Sequence, residues 1–153
     1  MSKQKIMHYL PWGLGIFIGF VFVQSLFFKF TNSFETQHIF GTIGQWMEGV
    51  GFLQFIAGRF AAYGGYTIGT VELIATILIL IRKTQIFGAA LAFAVISGAI
   101  FFHLFTPLGV SVIINEVGDT DGGQLFAIAV LVAVSAATIV FLRRADLSSV
   151  MVK

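Results

Sequence analysis

Four apolar runs, each close to 20 residues long, constrain this chain more than any other feature. A helix of about 20 apolar residues crosses the roughly 30 Å hydrocarbon core of a bilayer. The runs cover residues 11–30, 66–82, 84–106 and 123–142. Composition agrees. Hydrophobic residues make up 58% of the 153 and charged residues only 10%, against about 25% charged in a soluble domain. Mean hydropathy is +0.95. These values exclude a soluble enzyme, a nucleic-acid binder and a disordered tail. The expected fold is all-α: an integral membrane four-helix bundle forming a single domain over residues 1–153.

The chain has no cysteine. That removes disulfides, thiol relays, thiolate metal sites and iron–sulfur clusters carried by this chain. The first run follows a basic start, Met-Ser-Lys-Gln-Lys. It is too long for a signal-peptide core and no A-x-A-like site follows it, so it reads as a retained signal anchor.

Basic residues set the expected orientation. With four spans, Lys3, Lys5, Arg82, Lys83, Arg143, Arg144 and Lys153 fall on one side. The other side holds Arg59 and the acids Glu35, Glu48, Glu116, Asp119 and Asp121, with Lys29 at its edge. Both termini are therefore expected in the cytoplasm, and the protein in a bacterial inner membrane.

Residues 34–65 are too polar to span and too apolar for a plain loop. Ile39, Ile43, Trp46, Met47 and Val50 repeat at helical spacing, with Trp46 placed for the headgroup level. Phe52, Ile56, Phe60 and Tyr63 form a second stripe. One helix from Phe52 to Ile81 would measure about 45 Å, more than a bilayer core. A break at Gly64-Gly65 is therefore expected, leaving two short interfacial helices as an outer cap over 34–65.

Ionisable groups within spans are the best functional pointers. Glu72 lies about 15 Å in from Arg82 by helix rise, near mid-bilayer. Gly65, Gly69, Glu72 and Thr76 share one helix face, and His103 shares one with Gly88, Ala92 and Ala99. The candidate ligand-binding residues are Lys29, Arg59, Glu72 and His103. Two readings of Glu72 stay open. It locks helix packing, either protonated or paired with Lys29 or Arg59, or it lines a polar cavity for a quinone or another small amphiphile. By rise, Lys29 starts about 12 Å shallower than Glu72, so a direct pair needs helix tilt. His103 sits where a histidine commonly just hydrogen-bonds a carbonyl. Haem normally takes two matched histidines or another ligand. His8 is on the wrong side, which leaves only His38 with His103. No metal-ligand cluster is visible.

These residues form a set. Span one ends in Lys29-Phe30. Span two carries Gly69-Thr70-Val71-Glu72-Leu73 before Arg82-Lys83-Thr84. Span three ends in Phe101-Phe102-His103. Over residues 12–140 the chain resembles the DoxX-like family of small four-span membrane proteins. That family has a lysine closing span one, a Glu-Leu in span two and a histidine near the end of span three. The chain departs from it at Ser25-Leu26-Phe27, where a glycine is usual, and at Ala75-Thr76. The resemblance implies a small subunit of a quinone-linked oxidoreductase. The chain would carry no cofactor of its own, with quinone as the implied ligand and other membrane subunits as partners. The rival is a non-enzymatic assembly factor or structural subunit that binds other transmembrane proteins. A transporter ranks third, because one midplane acid does not make a proton relay.

Overall fold

The computed structural model describes residues 3–151, and the side chains of 8–144. Among the described residues the regular structure is helical, with one isolated bridge between Ile113 and Thr120 in the loop after the fourth helix. The helices are α1 (Lys3–Phe30), α2 (Phe34–Glu48), α3 (Gln54–Ile79), α4 (Gln85–Phe105) and α5 (Gln124–Met151). Four of them, all but α2, are long and apolar enough to cross a membrane. The protein is an integral membrane four-helix bundle with a helical cap at one end.

Neighbouring spans run antiparallel. Gly15 of α1 lies against Ile79 of α3, Gly19 against Thr76, and Gly69 against Leu26 and Phe30. Small residues let the backbones approach, which drives helix association where lipid removes the hydrophobic effect. The bundle core contains Ile18 and Phe22 of α1 and Ala75 and Ile79 of α3. Ala89, Ala92 and Ile96 of α4 and Ala129, Val132, Ala136 and Ile139 of α5 complete it. At the end away from the cap, buried Gln85 ties three spans together. Its Nε2 donates to the Pro11 carbonyl at 3.1 Å, and its Oε1 accepts from Arg143 Nε at 2.8 Å.

The cap has its own small core. Ile43 and Met47 of α2 meet Ala57 of α3 and Leu108 and Val112 of the loop between α4 and α5. Ser33 caps the start of α2: its Oγ accepts from Thr36 N at 3.3 Å, one of the donors a helix start leaves unpaired. The preceding Asn32 has φ of 48°, which turns the chain out of α1.

The structure corrects the expected cap. There is no break at Gly64-Gly65. Helix α3 is continuous from Gln54 to Ile79, so its apolar stretch begins at 54 and not at 66, and α2 alone is the short interfacial helix. The two glycines serve packing instead. The Phe40 ring lies where a side chain on Gly64 would stand, and the Thr36 methyl does the same for Gly65. A 26-residue helix measures about 39 Å, and its first turns stand above the bundle, against α2. Helix α1 also extends earlier than expected, with Pro11 inside it.

Arg82, Lys83, Arg143 and Arg144 lie at the end away from the cap. The side chains of Lys3, Lys5 and Lys153 lie outside the described residues.

Candidate functional site

Lys29 and Glu72 meet directly. Lys29 Nζ is 2.7 Å from Glu72 Oε2. The reason is the direction of the Cα–Cβ bond, which tilts toward a helix's N-terminus. Lys29 therefore leans back down α1, and Glu72 leans up α3 toward the cap. In antiparallel helices the two tilts converge and close the offset expected from rise alone. Ser25, one turn before Lys29, completes the cluster. Its Oγ accepts from Lys29 Nζ at 3.0 Å and lies 2.8 Å from both Glu72 Oε2 and the Phe22 carbonyl. The single hydroxyl proton goes to one of those two at a time. Glu72 is only 4% exposed.

This cluster lines a cavity of about 570 Å³ in the half of the bundle nearer the cap. Its walls are mostly apolar, with Phe22, Phe28, Phe40, Phe60, Ile96, Phe102 and Ile128 among them. Polar groups enter at two levels. Ser25, Lys29 and Glu72 stand within the spans. Glu35, Thr36, His103 and Asp121 stand under the cap. Gln24, Phe28, Ala94 and Gln124 line the cavity and are also exposed, so it opens to the outside of the bundle.

His103 is buried. Its Nδ1 lies 2.7 Å from the Gly109 carbonyl, and since a carbonyl only accepts, Nδ1 carries the proton. Its ring meets Phe126 edge-on, centroids 5.7 Å apart. Asp121 organises the loop beside it. Its carboxylate accepts from Val112 N at 2.8 Å, Gly123 N at 3.1 Å and Leu125 N at 2.8 Å. Burial pushes the Asp121 carboxyl up. The backbone donors of Leu125, Val112 and Gly123, with His103 nearby, outweigh it and hold the group below the ordinary value. Glu35 behaves oppositely. Burial raises it and Asp121 adds to the rise, while Lys29 opposes both without cancelling them.

Of the four residues singled out from the sequence, Lys29, Glu72 and His103 line this one cavity. Arg59 does not. It stands exposed near the start of α3, because the unbroken helix carries it up into the cap and away from Glu72. Sequence reasoning missed Ser25, Glu35 and Asp121. Ser25 had a readable signal, a hydroxyl four residues before Lys29 on the same helix face. Asp121 had a weaker one, an acid just ahead of Gly-Gly and an apolar run. Nothing local joins Glu35 to either. No group of three or more His, Cys, Asp or Glu that could hold a metal ion occurs among the described residues.

Comparisons with family models, curated proteins and solved structures find no match to this chain.

Proposed function

We propose that this chain is a small integral-membrane subunit of a quinone-linked oxidoreductase, and that the cavity beside Lys29 and Glu72 takes up the quinone headgroup. One observation carries the reading: a hydrogen-bonded ion pair, its carboxylate buried and its ammonium partly so, lines a roomy, mainly apolar cavity open at the side of the bundle. Its volume is that of a small-molecule site, roughly 300–1,000 Å³. Apolar walls with a few convergent polar groups suit an amphiphile with a compact polar head and a greasy tail. Lys29 Nζ has a third proton beyond the two bonds it makes, and that proton can be donated to a quinone carbonyl. The phenylalanines of the wall would flank the ring and tail. The residues behind the DoxX-like resemblance, Lys29, Glu72 and His103, are the ones that share this cavity. The electrons would come from a partner subunit.

Photolabelling native membranes with an azido-quinone tests this reading. Label should appear on α1 or α4 peptides and fall away when excess decylubiquinone competes. Label that excess quinone fails to displace would sink it. Partners without any redox centre in the native complex would favour the assembly-factor reading instead.

The proposed orientation puts the termini in the cytoplasm and the cap outside a bacterial inner membrane, following the basic residues at the far end of the bundle. The chain has no cysteine, so a single introduced one is the sole thiol target. Thr120→Cys should react with an impermeant maleimide added to intact cells, and Lys83→Cys should react only after lysis. The reverse pattern would invert the topology.

A further inference from the structure

The two oxygens of the Glu72 carboxylate are in different situations. Oε2 is bonded by Lys29 Nζ at 2.7 Å and is in reach of Ser25 Oγ at 2.8 Å. Oε1 receives no hydrogen bond from any described residue. Yet no fully buried side-chain oxygen or nitrogen lacks a partner among the described residues. Oε1 therefore keeps open surface, and Glu72 lines the cavity. A charged oxygen in a low-dielectric site with no donor is costly. A ligand that brings a donor to it gains a charge-assisted hydrogen bond. Next to it stands Lys29 Nζ, an ammonium with one donor still to give.

An acceptor that takes only a proton donor, beside a donor that takes only an acceptor, suits a group that both donates and accepts, such as a hydroxyl. Its proton points to Glu72 Oε1 and its oxygen accepts from Lys29. Building on the quinone reading above, we propose that this pair reads the redox state of the ligand, so that the cavity holds the hydroquinone in preference to the quinone. A quinone oxygen satisfies Lys29 but turns a lone pair toward the carboxylate. A hydroquinone hydroxyl satisfies both. A hydrogen bond to a charged group is worth enough to favour the hydroquinone by about tenfold.

The test uses the full chain in lipid nanodiscs without oxygen. Binding of decylubiquinol and decylubiquinone is measured by equilibrium partition and chromatographic quantitation. Wild type should bind the quinol about tenfold tighter. Equal binding, or tighter quinone binding, would overturn this inference and leave the quinone reading standing. If neither form binds, the quinone reading itself fails. The double variant Lys29→Gln/Glu72→Gln strands no charge, and its amides both donate and accept. It should bind the two forms alike. A double variant that keeps the preference would remove the Lys29–Glu72 pair from the explanation.

Discussion

Lys29→Met should destabilise the protein by about 3–5 kcal/mol, the cost of leaving a buried charge without its partner. Glu72→Leu should cost less. The asymmetry comes from reach. Lys29 sits in the last turn of α1, and its long stem can carry a stranded ammonium to the cap end. Glu72 has a short stem and stands seven residues inside α3, so a stranded carboxylate must stay where it is or take up a proton. Changing both residues removes both charges and both desolvation costs. Lys29→Met/Glu72→Leu should then melt close to wild type in detergent, as apolar replacements of buried ion pairs often do. The four melting temperatures form a thermodynamic cycle. If the double variant lost as much as the two singles added together, the pair would contribute no coupling and the cluster would be an accident of packing.

The second large effect lies far from the cavity. Gly88→Ala should lose about 1–3 kcal/mol through overpacking. A Cβ at Gly88 would stand 2.5 Å from Ile79 N and 2.8 Å from the Ala75 carbonyl oxygen. These are backbone atoms, so no side-chain rotation relieves the clash and α3 and α4 must move apart. Gly13→Ala is the matched control. Gly13 is exposed on α1 and nothing lies within 4 Å of the new methyl. Alanine there should gain up to about 1 kcal/mol from helix propensity. Thermal melting of the two single variants checks the pair. Equal shifts would mean that backbone approach at Gly88 does not limit the bundle.

The spans were readable because bilayer thickness imposes a length and an apolar composition on them, and both are local properties. The cluster at Glu72 was half readable. Its residues stood out as polar groups in apolar runs, but their pairing did not follow from counting rise. Counting places Cα atoms and ignores where side chains lean. Lys29 and Glu72 lean toward each other because their helices run in opposite directions. Gly64-Gly65 was misread for a related reason. A glycine pair suits a bend and a close contact equally well, and only the partner decides. Here the partner is α2, which brings Phe40 and Thr36 onto the pair. That α2 and the α4–α5 loop also bring Glu35 and Asp121 to the cavity that Lys29 lines is a tertiary fact with no local trace.

The two cores described above are unequal and separate. The bundle core draws on all four spans, while the cap core holds five buried side chains from α2, α3 and one loop. Opening free energies in a protein follow the apolar contacts that each region must break. The cap is held by more than that core, because Phe40 and Thr36 of α2 are also buried, seated on Gly64-Gly65 of α3. The cavity lies open at the side of the bundle, so a ligand can reach Lys29 and Glu72 while both cores stay closed.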